Sequence, residues 1–218
     1  MKEKSASAVS IIGGADGPTS VFIADKSGKK PLKVRIKNHV YKYRRKKMEK
    51  MIFACSHTIE EVMAYAYDKY SVVEIDTTQK QYMEQRKCLK ESLIIRHKPE
   101  LLGDMKDVTR PNIYNEDSIR KLHQQIQARS EVIAKIPDYE MPMDFHLYEI
   151  RLNDGVLEIE IDYVWDIFSV SYNGSKKVMK RLKRITQDLY IYYGVTEEDI
   201  RNKSKRYSSL LTILSTQM

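Results

Sequence analysis

The segment that most restricts the fold runs from Tyr148 to Tyr172. Tyr148, Ile150 and Leu152 alternate with charged residues, and Asn153-Asp154-Gly155 then supplies hairpin turn chemistry. Leu157, Ile159, Ile161, Tyr163 and Trp165 continue the period of two against Glu158, Glu160, Asp162 and Val164. Such alternation fits a pleated strand with one face on a core and cannot follow a helical stripe. After Asp166 the phase flips to Phe168, Val170 and Tyr172, which predicts a break into a third strand. Asn173-Gly174 is expected to make the next turn.

Around this block the period changes to that of helices. Thr58 and Glu61 have the spacing of a capping box, followed by Ile59, Val62, Met63, Ala66 and Tyr70 on one face. Ser71 to Asp76 is expected to be extended. A helix capped by Thr77 or Thr78 should then run to about Arg96. Asn115 caps a long helix with Ile119, Leu122, Ile126, Ile133 and Ile136 facing inward, and Pro137 ends it. Ser175 starts a helix carrying Val178, Leu182, Ile185, Leu189 and Tyr192, which Gly194 terminates. Thr196 with Glu197, Glu198 and Asp199 opens a last helix.

The expected class is α+β, with a helical N-terminal half and a small antiparallel sheet flanked by helices in the C-terminal half. Three regions are expected: a glycine-rich arm over 1–31, a basic helical region over 32–103, and an α+β domain over 115–218 with its hairpin at 145–172. Residues 99–114, with Pro99, Gly103 and Pro111, form the candidate boundary.

No apolar run approaches the ~20 residues that a spanning helix requires. Lys2 and Lys4 would suit a secretory n-region, but Glu3 and the glycine-rich stretch interrupt any apolar region that follows. A cytoplasmic protein is therefore expected. Its two cysteines, Cys55 and Cys88, are too few and too far apart for a disulfide framework or a Cys-x-x-Cys pair.

The charge is uneven. Residues 1–50 hold 14 Lys and Arg against 4 Asp and Glu, a net of +10, whereas the remaining 168 residues hold 24 against 26, a net of −2. The excess lies mainly between Lys29 and Lys50, on a helix predicted from Leu32 to about Ile52 with Val34, Val40, Met48, Met51 and Ile52 as a patchy apolar stripe. There Lys42, Arg44, Arg45, Lys46 and Lys47 interleave with Tyr41 and Tyr43. Cations neutralise phosphates and rings stack on bases, so this run is the candidate nucleic-acid surface. An anionic membrane surface or an acidic protein would satisfy the same electrostatics, and a solvated helix face would explain the charges without a partner.

Two short strands, Val9 to Ile12 and Thr19 to Ala24, are expected to flank Gly13-Gly14-Ala15-Asp16-Gly17-Pro18. Residues 9–24 resemble the I-G-G-A-D-G-P-T segment of the beta subunit of sodium-translocating decarboxylases of the oxaloacetate decarboxylase type, with Ile12 to Thr19 matching at consecutive positions. The resemblance implies a bacterial source and makes Gly13, Gly14, Asp16 and Gly17 the motif and ion candidates. Sodium handling would fall to Asp16. The spanning helices of that family have no counterpart in this sequence, and a tight turn pinning a short hairpin is the plain structural reading.

Other constellations point to ordinary roles. Cys55 and His57 lie two apart without an orienting third group. His39, His57, His97, His123 and His146 are scattered singly, so no metal or cofactor is expected. Glu158, Glu160 and Asp162 share one strand face, expected to be the wet side of a half-buried sheet. Lys176, Lys177, Lys180, Arg181, Lys183 and Arg184 form the polar face of an amphipathic helix. The expected function is thus that of a soluble, non-enzymatic protein binding nucleic acid, a nucleoprotein or an acidic protein through its basic N-terminal region. The alternative is a soluble accessory or fragmentary relative of the decarboxylase beta subunit, serving sodium transport or pump assembly.

Overall fold

A computed structural model of the chain describes residues 6–14, 17–25, 32–106 and 115–215. Its elements are β1 (Ala6–Gly14), β2 (Gly17–Asp25), α1 (Leu32–Glu49), β3 (Cys55–Ser56), α2 (Ile59–Lys69), β4 (Val72–Glu74) and α3 (Lys80–His97), then a 3-10 segment (Pro99–Lys106). They continue with α4 (Glu116–Lys135), β5 (Phe145–Leu152), β6 (Gly155–Asp162), β7 (Ile167–Gly174), α5 (Lys176–Tyr193), β8 (Gly194–Val195), α6 (Glu197–Asn202) and α7 (Lys205–Ser215). Strands β4-β5-β6-β7 form a four-stranded antiparallel sheet, while β1-β2 and β3-β8 are two-stranded. The class is α+β, with three of the main sheet's four strands in the C-terminal half and helices flanking it. No helix among the described residues is long and apolar enough to cross a membrane.

The alternation read from the sequence becomes the β5-β6 hairpin, with Asn153 and Asp154 between the strands. Gly155 follows because a Cβ there would meet Val178, Leu182 and the Asn173 carbonyl. The phase flip falls where expected: residues 163–166 turn, with Asp166 at φ 48°, and β7 begins at Ile167. Asn173-Gly174 does not make a turn. Both residues stay in β7, and Gly174 lies against the Asp154 carbonyl.

The contacts divide the chain into two units. The first comprises Met1–Val73, Tyr148–Ile159 and Phe168–Met218. Its core gathers Met48, Tyr190, Val195, Tyr207, Leu210 and Leu211, with Phe168 and Val170 against them. Helix α2 opens with the expected capping box, since Thr58 N donates to Glu61 Oε2 at 2.8 Å and Glu61 N to Thr58 Oγ1 at 3.3 Å. Thr196 and Asp199 make a second such box on α6. The single last helix expected after Thr196 is two helices, because Lys203 takes a left-handed conformation (φ 48°, ψ 50°) and breaks the run.

The second unit comprises Glu74–Leu147 and Glu160–Ile167. Leu93 and Ile94 of α3, Leu102, Ile133 of α4 and Met141 form one cluster, completed by Trp165 and Ile167. Ile75, Tyr82, Phe145 and Leu147 form another. Asn115 caps α4 by accepting from Ser118 N at 3.2 Å, and Lys135 is its last residue before Pro137. The expected threonine cap of α3 is absent: Thr78 gives both its amide and its hydroxyl to Asp76, and Gln79 occupies the cap position without a side-chain bond.

Candidate nucleic-acid interface

Helix α1 is rich in the helix formers Lys and Arg and places Lys46 and Lys47 in its last turn, where cations suit the dipole. It packs on α7. The apolar stripe expected along it is buried only at Met48, with Ile52 half-buried, whereas Val34, Val40 and Met51 are exposed. One face of α1, carrying Tyr41, Arg44, Arg45 and Met48, is covered, and the other described positions of the helix are exposed.

The sequence-predicted cations therefore separate by orientation. Tyr41, Arg44 and Arg45 are half-buried beside Met48. Arg45 Nη1 reaches Tyr41 Oη and Thr212 Oγ1, both at 3.5 Å, so it partly ties α1 to α7. Lys42, Tyr43, Lys46 and Lys47 are exposed. Lys42 and Lys46 lie one turn apart, as do Tyr43 and Lys47, so the four side chains form one array. Tyr43 is 68% exposed. Leu32, Ile36 and Val40 are also exposed and lead along the helix toward Tyr43 at steps of four, four and three.

The glycine-rich motif lies in the β1-β2 hairpin. Ile12 pairs with Ser20, Gly13 with Pro18 and Gly14 with Gly17, so the expected pair of strands is present and extends through the glycines. Asp16, the ion candidate, lies outside the described residues, as does Ala15.

The second basic cluster sits on α5. Lys176, Lys177, Lys180, Arg181 and Arg184 are exposed, and Leu182, Ile185 and Leu189 are buried opposite them. The carboxylate face of β6 is not uniformly wet. Glu158 accepts from Ser171 Oγ at 3.1 Å, but Asp162 is fully buried, with Oδ1 accepting from Trp165 N at 3.0 Å. It closes the turn into β7 rather than facing water. His57 is committed elsewhere than Cys55: its ring stacks on Tyr192 at 4.0 Å, and Nδ1–H donates to the Tyr192 carbonyl at 2.6 Å. Among the described residues, no group of three or more His, Cys, Asp and Glu is arranged to hold a metal ion.

One polar centre escaped the sequence reading. Asp188 Oδ2 accepts from Tyr65 Oη at 2.9 Å, Lys69 Nζ at 2.7 Å and Tyr70 Oη at 2.7 Å. Burial pushes this carboxyl up, but the bonds from Lys69, Tyr70 and Tyr65 outweigh it and hold the pKa below its ordinary value. Tyr65 in turn stacks on Tyr192 at 4.1 Å, extending the stack begun by His57. The only prior signal was the i,i+4 spacing of Tyr65 and Lys69, since Asp188 is remote in sequence.

No protein-family model, curated protein or solved structure matches this chain.

Proposed function

We propose that this protein docks on an acidic partner, nucleic acid either bare or protein-coated, through the outer face of α1. The observation that supports this reading is the exposed array of Lys42, Tyr43, Lys46 and Lys47 on a helix that buries only Met48. Three lysines would neutralise backbone phosphates, and Tyr43 offers an open ring for stacking. Leu32, Ile36 and Val40, exposed beside the cations, suit the protein part of a nucleoprotein better than naked phosphate. In this reading the protein is bacterial, cytoplasmic and non-enzymatic.

The test is binding to labelled duplex and single-stranded DNA and RNA across a salt series. Substituting Lys42, Lys46 and Lys47 by Gln should weaken duplex binding and flatten the log–log salt slope by about 3, at ~0.9 per phosphate contact. An unchanged slope in that variant sinks the proposal.

A second reading rests on the β1-β2 hairpin, which pairs Gly13, Gly14 and Gly17 within one unit of backbone structure. In it, residues 9–24 serve sodium transport or pump assembly, as the decarboxylase resemblance implies. Deleting residues 1–25 should then abolish association with such a complex, and indifference to both the deletion and sodium would reject it.

A further inference from the structure

The second unit contains a cleft of about 670 Å³ between one face of α3 and the C-terminal end of α4. That volume falls within the range of ~300–1,000 Å³ typical of small-ligand sites. Met83, Arg86, Lys87 and Lys90 line one wall at helical spacing, and residues 133–138 form the other. Tyr82, Ile133 and Pro137 supply apolar surface.

The charge of the lining is one-sided. Arg86, Lys87, Lys90 and Lys135 stand against a single carboxylate, Asp138. Lys90 is nearly buried; its Nζ donates to the Ile136 carbonyl at 2.6 Å and to Asp138 Oδ1 at 2.9 Å, so it also caps the open carbonyl end of α4. Arg86 Nη2 donates to Asp138 Oδ2 at 2.7 Å. The carboxylate thus sits in a fork of two cations and shows where an anionic oxygen is held. The bonds from Lys90 and Arg86 prevail over burial and hold its pKa below the ordinary value. Lys87 and Lys135 have no ion-pair partner among the described residues, and most of the five guanidinium donors of Arg86 remain for a ligand.

We propose that this cleft binds a small organic phosphate of nucleotide size. The surplus of three positive charges calls for a multiply charged anion, which a single carboxylate does not supply. The planar fork of Arg86 with the point charges of Lys87 and Lys135 is the usual donor set for phosphate oxygens. The adjoining apolar wall would take the organic part. Lys90 ties α3 to the end of α4 through Ile136 and Asp138, and Asp138 competes with the incoming phosphate.

The experiment is a titration of the full chain with ATP and, separately, with inorganic phosphate, followed by calorimetry and amide chemical shifts. ATP should bind more tightly than phosphate and should shift residues 82–90 and 133–138. Lys87→Gln with Lys135→Gln, both exposed and unlinked to the core, should weaken ATP binding at least tenfold. Asp138→Asn should strengthen it, because it removes the internal competitor. A Lys42/Lys46/Lys47→Gln variant serves as the control and should leave the binding unchanged, which separates this cleft from the α1 surface. Absence of ATP binding at millimolar concentration, shifts confined to α1, or an unchanged affinity in the Lys87/Lys135 variant would each overturn the assignment.

Discussion

Gly194 has φ 61° and ψ −156°, a backbone region that only glycine enters without strain. It terminates α5 and immediately pairs with Ser56, so a Cβ would also run into the Cys55 carbonyl oxygen. Gly194→Ala is expected to cost about 3 kcal/mol or more, read as a lowered urea midpoint with unchanged m. His146 carries a pH-dependent contribution. Burial pulls its imidazole down, yet bonds to Glu74 Oε1 (2.8 Å) and Asp144 Oδ1 (3.2 Å) outweigh that and raise the pKa above 6.5. A raised folded-state pKa gives stability that is complete below about 6.5 and is lost as pH climbs through the elevated value. Wild-type stability should therefore decline on going from pH 6 to pH 8 more than that of His146→Gln, measured by denaturant unfolding across that range. Equal pH profiles for the two proteins would show that the bridge contributes nothing.

Among the elements, α1 and α5 show how similar charge supports different readings. Both carry a dense run of cations. Helix α5 buries Leu182, Ile185, Thr186, Leu189, Tyr190 and Tyr193, so its lysines are the solvent side of a core helix. Helix α1 buries only Met48, so core packing accounts for little of its sequence. Helix α2 is held against α5 by Asp188, which gathers Tyr65, Lys69 and Tyr70. Asp188→Ala leaves two hydroxyls without their acceptor and is expected to cost about 1–2 kcal/mol, the lower part of the range because the site is partly exposed. Thr58→Ala should cost ~1 kcal/mol by opening the capping box, and a thermal melt of each variant measures both. The box at Thr58 is legible in the sequence because capping needs residues only three apart, whereas at Thr196 the sequence shows a helix start with acidic residues in its first turn and the structure adds the box with Asp199. The start of α3 departs from expectation for an equally local reason: Thr77 and Thr78 are sound caps by type, but Asp76 engages Thr78 and Gln79 takes the cap position.

At the scale of the whole molecule, the two units interleave along the chain, with Tyr148–Ile159 in one and Glu160–Ile167 in the other. A fragment of residues 74–147 lacks Trp165 and Ile167, which complete the cluster of Leu93, Ile94, Leu102, Ile133 and Met141. It should fail to unfold cooperatively in urea, whereas a fragment of 74–167 should regain a sigmoidal transition. The sequence by itself determined the α+β class, the hairpin at Asn153–Asp154, the phase break at Asp166, the capping box at Thr58 and the N-terminal concentration of charge. Each depends on a period, a turn or a cap written within a few residues. The tertiary structure alone decided that Asp162 is buried, that Val34 and Val40 stay exposed, that Asp188 collects two tyrosines and a lysine, and that Arg86, Lys87 and Lys90 face Lys135 across a cleft. Those outcomes depend on which distant segments meet, and side-chain spacing carries no record of partners more than a few turns away.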